Sequence, residues 1–236
     1  MNKLRITWLG HGGVLYRSPG ERWLWVDRWS GSPTFPDAYR TPDRVDLIAP
    51  THGHFDHVGE NCADVTELAE RGGTVVCGHE MSIYLASHGV EAVGMNTGGT
   101  FDADGIKLSM VRADHTGGVT LTGGDHDMTR DMGCWGWVIE FEDGTRVYHT
   151  GDTDLFGDMA LVKDRWNPTI AVLPIGGHYT MDPVGAAKAI ELIGARTVLP
   201  IHFGTFPVLV GTPDQLREAT NADVISLEPG GTWEAP

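Results

Sequence analysis

Four side chains able to bind a metal fall within six residues in Thr51-His52-Gly53-His54-Phe55-Asp56-His57, directly after the apolar run Leu47-Ile48-Ala49. On extended chain His52 and His54 project to the same side. Asp56 and His57 then face a second position nearby. Imidazole nitrogen with carboxylate oxygen suits Zn, Mn, Fe or Ni better than Ca or Mg. The plainer reading is a polar turn rich in His. With 11 His in 236 residues, three at preset positions arise by chance at about one in ten thousand, so the metal reading stands ahead of it.

Four later polar residues each sit where a strand gives way to a loop. His115 follows Met110 to Ala113, Asp152 follows Val147 to Gly151, His178 follows Val172 to Gly177, and His202 follows Val198 to Ile201. Strand ends along one rim of a sheet are where α/β proteins gather their sites.

The elements that must position these residues alternate along the chain. Strands are expected at 4–9, 14–16, 23–26, 45–49, 74–77, 106–113, 170–173, 198–201 and 224–227. A hairpin is expected from 137–141 and 146–149 around an Asp-Gly turn. Helices are expected at 64–71, 80–87 and 155–166, from Asp182 and Pro183 to 193, and after the capping box that begins at Thr212. Trp23 and Trp25 read as one buried face of a strand. Residues 28–43, with Pro33, Pro36 and Pro42, read as an irregular loop that either shapes access to the site or merely connects. Residues 123–133 read as a polar loop, of which 123–131, with His126, fits no motif. Interleaved strands and helices give an α/β layered protein.

Composition narrows the class. A chain of 41% hydrophobic and 21% charged residues has the make-up of an ordinary soluble protein large enough for one core. A net charge of −15 argues against nucleic acid, which needs clustered Lys and Arg. It leaves a small anionic substrate open, because bound divalent ions reverse the local sign. Cys62, Cys77 and Cys134 form no Cys-x-x-Cys pair, the N-terminus is no signal peptide, and no run is long enough to span a membrane. The expectation is a cytoplasmic protein acting on a small molecule, with self-association left open.

The pattern His-x-His-x-Asp-His after a strand resembles the signature of the metallo-β-lactamase superfamily. The wider context, from Ile6-Thr7-Trp8-Leu9-Gly10-His11 to Pro200-Ile201-His202, is similar to small bacterial hydrolases grouped with L-ascorbate-6-phosphate lactonase. The resemblance implies an αββα sandwich, with residues 1–236 as one domain and metals at one edge of two facing sheets. It implies two divalent ions, zinc foremost, with manganese, iron or nickel as alternatives. His52, His54 and His115 would hold one ion, and Asp56, His57 and His202 the other, with Asp152 bridging. A hydroxide between the ions would attack an ester, lactone or phosphodiester. Asp152 stands where some true β-lactamases place Cys, which argues against a lactam. With 34 residues after His202, a helical substrate domain of the glyoxalase II kind is not expected. His54 argues against the diiron flavoprotein branch, which commonly has Glu there.

Remaining residues take lesser roles. Asp56 is expected to orient the nucleophile. His178, after two glycines and before a helix N-terminus, is expected to contact the substrate and stabilise developing charge or pass a proton. His11, in Gly10-His11-Gly12-Gly13, is expected to contact substrate. Asp27 is a candidate to orient a ligand imidazole from behind. His149 reads as packed or supporting, Cys134 as a buried thiol, and His79, His88 and His126 as local contacts. The competing class is a non-catalytic metal-binding or ligand-sensing module on the same fold.

Overall fold

The computed structural model describes residues 2–121 and 128–236. His126 and the 123–127 part of the expected polar loop lie outside the described residues. Two mixed seven-stranded sheets dominate the fold. The first contains β1 (Arg5–Trp8), β2 (Val14–Arg17), β3 (Trp23–Val26), β4 (Leu47–Ile48), β5 (Thr74–Gly78) and β6 (Ala92–Met95). The second contains β7 (Thr100–Ala103), β8 (Ile106–Arg112), β11 (Trp135–Glu140), β12 (Arg146–His149), β13 (Ile170–Pro174), β14 (Thr197–Ile201) and β15 (Asp223–Val224). Between β8 and β11 a separate antiparallel pair, β9 (Gly118–Leu121) and β10 (Met128–Asp131), replaces part of the loop expected at 123–133. A last strand, β16 (Thr232–Glu234), returns to the outer edge of β1.

Side-chain alternation explains the layering. On β13, Ile170 and Val172 enter the cluster shared by both sheets, while Ala171 and Leu173 face the helices outside. Trp137 and Ile139 against Val138, and Leu199 and Ile201 against Val198, repeat this on β11 and β14. A strand buried on both faces must be apolar at every position, which is why β13 and β14 read as unbroken apolar runs. Trp25 is fully buried and Trp23 packs beside it.

Helices cover both outer faces. The short α1 (Phe55–Val58) is followed by α2 (Ala63–Glu70) and α3 (His79–Ser87), which pack on β4, β5 and β6. On the other side lie α4 (Met159–Trp166), α5 (Pro183–Ile193) and α6 (Pro213–Ala219). Asp182 caps α5 by accepting from the Gly185 amide at 2.7 Å, and Gly194 ends it. Thr212 and Gln215 form the capping box of α6.

Strand direction sets the site. Pairing makes β1, β3 and β4 run one way in the first sheet, and β8, β12, β13 and β14 run one way in the second. The loops carrying His11, Asp27 and the His52–His57 motif therefore leave the same edge of one sheet. Those carrying His115, Asp152, His178 and His202 leave the same edge of the other. No helix among the described residues is long and apolar enough to cross a membrane.

Candidate metal centre

The two rims meet in a cluster of imidazoles and carboxylates. His52 Nε2 lies 3.0 Å from His54 Nδ1, and both rings stand edge-on to His115, with centroids 5.3 and 5.2 Å away. His52, His54 and His115 each offer a ligand atom within 4.8 Å of the others. A second group, His11, Asp56, His57 and His202, meets the same measure. Asp152 Oδ2 lies between the groups, 3.0 Å from His202 Nε2, 3.3 Å from His57 Nε2 and 3.8 Å from His115 Nε2. Each group draws donors from both sheets.

The donor set fits a metal on its own terms. His57 Nε2, His202 Nε2 and Asp152 Oδ1 are buried and lack a well-directed hydrogen bond. Buried polar atoms without partners are rare and demand a cause. Neutral imidazole and carboxylate are the donors that borderline divalent ions prefer.

Supporting contacts fix ring orientation. Asp27 is fully enclosed; its Oδ1 accepts from the Thr51 amide at 2.8 Å and its Oδ2 from the Thr51 hydroxyl at 2.6 Å. The same Oδ2 lies 3.0 Å from His57 Nδ1. Since the Thr51 hydroxyl spends its proton on Asp27, its oxygen accepts from His52 Nδ1–H at 3.1 Å, leaving His52 Nε2 unprotonated on the side that faces His54. One carboxylate thus sets two imidazoles, directly and through Thr51.

Electrostatics follow from enclosure. Burial lowers the proton affinity of His52, with His57 adding to the effect, and burial likewise lowers His54 and His115. Burial also disfavours a charged His57, but Asp152 and Asp27 outweigh it and raise His57 well above the ordinary range. Burial would raise Asp152, yet His202 and His57 hold it well below the usual carboxylate range. Protons thus occupy the place that a cation would take, and a cation binding there must displace them. Asp56 is similar: burial acts upward, the His11 hydrogen bond and the charge of His57 act downward, and the carboxyl settles at about 2.

Backbone conformation shows how tightly the rim is held. His11, Asp27, His178 and His202 all adopt left-handed φ values, of 50°, 51°, 61° and 55°. Such a conformation is uncommon outside glycine, and it gathers at functional sites. At His11 it is held by two bonds to the carbonyl oxygen, from the His202 amide at 2.9 Å and the Trp8 indole at 2.9 Å.

In this structure the His11 ring is enclosed and meets Asp56, with Nε2 3.0 Å from Oδ2. His178 is exposed and its ring meets that of Tyr179 at 4.4 Å; it belongs to none of the metal-capable groups among the described residues. His149 is enclosed within β12, with Nδ1 2.8 Å from the Tyr16 hydroxyl. Cys134 is half-buried, its thiol turned to the Asp152 carbonyl at 3.4 Å. Sequence reasoning did not find the pairing of His11 with Asp56 or the role of Thr51; neither leaves a spacing signal.

Two facing sheets with donors at one shared edge define the metallo-β-lactamase fold, and the comparisons place the chain within it. Residues 22–203 match the family described as β-lactamase superfamily domain. A UPF0173 metal-dependent hydrolase of Koribacter versatilis is 42% identical over 234 residues, covering 98% of this chain and 97% of that protein. A second, from a Roseiflexus species, is 42% identical with 95% of each covered. Among solved structures, the metallo hydrolase Igni18 of Ignicoccus hospitalis is 30% identical, with a TM-score of 0.85 over 99% of this chain and 98% of that one. This chain belongs to the β-lactamase superfamily, in the group described as UPF0173 metal-dependent hydrolases.

Proposed function

We propose that this protein is a dinuclear metal-dependent hydrolase of a small ester, lactone or phosphodiester. The observation that carries this reading is the position of Asp152, whose Oδ2 reaches His115 of one group and His57 and His202 of the other. A single carboxylate facing two donor groups is the arrangement a pair of cations requires.

His52, His54 and His115 would hold one ion, and Asp56, His57 and His202 the other, with Asp152 shared. Zinc suits these donors best, with manganese, iron or nickel as alternatives. When bound, such ions acidify water and polarise the attacked carbonyl. The chain's own residues supply placement. Asp56, ionised and steadied by His11, accepts a hydrogen bond from the attacking water and aims it. Held at about 2, its carboxyl stays ionised near neutrality, and the work assigned to it is orientation. Asp27 and Thr51 keep the His52 and His57 lone pairs aimed inward. We assign to His178, exposed on the loop before α5, the role of meeting the substrate and donating to the oxygen that gains charge.

Elemental analysis of protein purified without chelator, followed by a panel of esters, lactones and phosphodiesters, tests this reading. Two equivalents of metal with turnover of one of these classes are expected. Two bound ions and no turnover across the panel would replace it with a ligand sensor on the same fold.

A further inference from the structure

Three aromatic side chains from three separate loops meet beside the candidate metal centre. Trp29 follows β3, Phe55 opens α1, and Phe206 lies in the loop after β14. The Trp29 and Phe206 rings stack at 5.8 Å with planes 29° apart, and Phe55 stands edge-on to Trp29 at 5.5 Å. His11 lies beneath them, its ring 5.2 Å from Trp29 and 5.4 Å from Phe206. The same His11 ring is 4.0 Å from His202, and its Nε2 is 3.0 Å from Asp56. One residue therefore separates the aromatic group from the residues proposed to act on water.

This wall is not closed into the core. Phe55 remains 40% exposed, and Trp29 and Phe206 are half-buried. Contiguous aromatic groups left open beside a few convergent polar groups are the lining a ligand site uses.

The charge around it points the same way. The rim stretches 27–35, 49–59, 113–117, 150–157, 175–182 and 202–211 contain Arg28 as their only Lys or Arg. Its guanidinium is buried and already held by Asp64 and Glu67, each at 2.8 Å, and by the Arg40 carbonyl at 2.9 Å. These loops offer no fixed side-chain cation to seat a phosphate or a carboxylate.

We propose that Trp29, Phe55 and Phe206 form the specificity wall for the ring of a neutral aryl-bearing ester or lactone. The proposal rests on the hydrolase reading above and narrows its substrate. In the reaction, water adds its oxygen to the ester carbonyl carbon and the carbonyl–oxygen bond to the alcohol breaks. One water proton leaves with the alcohol, and the other is released as the product ionises to a carboxylate. The wall holds the ring and takes no part in the bond changes. Edge-to-face and offset-stacked packing of a ring against aromatic side chains gives it both area and orientation.

The test compares kcat/KM for methyl phenylacetate and methyl butyrate with metal-loaded protein. The phenyl ester should be favoured by about tenfold or more, as expected for a lost apolar contact in a shaped pocket. That ratio should fall about tenfold in Trp29→Ala and in Phe206→Leu, with unchanged metal content showing that each variant folds. Leu161→Ala, on the exposed side of α4, should keep the wild-type ratio. Equal ratios in wild type and both wall variants would overturn the proposal, as would preference for a dialkyl phosphodiester. Saturation-transfer NMR with the neutral ketone phenylacetone reads the wall without turnover. Ring signals that weaken in Phe206→Leu would support the wall even if no ester were cleaved, in which case the hydrolase reading alone fails. No transfer to the ring in wild type would overturn the wall.

Discussion

Asp27 Oδ2 lies 3.0 Å from His57 Nδ1, and neither side chain reaches solvent. That contact fixes which nitrogen of His57 faces Asp152, and through Thr51 the same carboxylate governs His52. It joins the two proposed ion positions from behind.

Asp27→Asn keeps the size of the side chain but removes the charge opposing His57. Metal affinity should drop by roughly 10- to 100-fold, the usual cost of losing such a partner. Competition with a chromophoric chelator would read it. Unchanged affinity would remove Asp27 from the centre.

Gly12 touches the site without offering a donor. A Cβ built there would sit 2.5 Å from His57 Cε1 and 2.9 Å from its Nδ1, within a ring that is enclosed and cannot swing aside. Gly12→Ala should cost about 1–3 kcal/mol of stability through overpacking, and should weaken metal binding as well. Chemical denaturation and elemental analysis would show both effects; wild-type values in both would mean that His57 has room to move.

Asp152→Asn should abolish the second equivalent of metal and lower turnover by on the order of 100-fold or more, exceeding the supporting-residue effect. Full turnover with two ions bound would contradict the shared-carboxylate role.

His149 provides a pH signature away from the ligands themselves. Burial lowers it from 6.5 to about 4. Its folded value lies below its unfolded one, so the unfolded chain takes up the proton first. The stability it contributes is complete above about 6.5 and is lost as pH falls toward about 4. Metal-stripped protein should melt at lower temperature across that window, and His149→Leu should flatten part of the slope. Parallel curves for the two proteins would show that His149 does not titrate there.

His178→Ala should leave metal content unchanged and lower kcat by roughly 100-fold, the range of one positioned donor or acid. A loss of metal would instead assign His178 to the centre.

Much of the centre was legible because its donors follow apolar strands. His52, His54, Asp56 and His57 share one motif, and His115, Asp152 and His202 each mark a strand end. The resemblance joined those distant points; spacing alone does not say that two sheet rims meet. The enclosure of His11 left no signal, because an exposed and an enclosed histidine look alike between glycines, and only packing against His202 and Asp56 tells them apart. The β9–β10 pair was hidden by four-residue strands around a polar, glycine-containing stretch, and β16 by its short length. The strand expected at 224–227 shrinks to Asp223–Val224, since only that part pairs with β14. The helix expected from Leu155 starts at Met159.

Because Asp56 and His57 hang from one sheet while Asp152 and His202 hang from the other, a cation gripped between them would rivet the two layers together. Chelation would then loosen the scaffold along its own midline in the same event that silences the chemistry. Hydrogen exchange along that seam would report the state of the centre without any substrate being known.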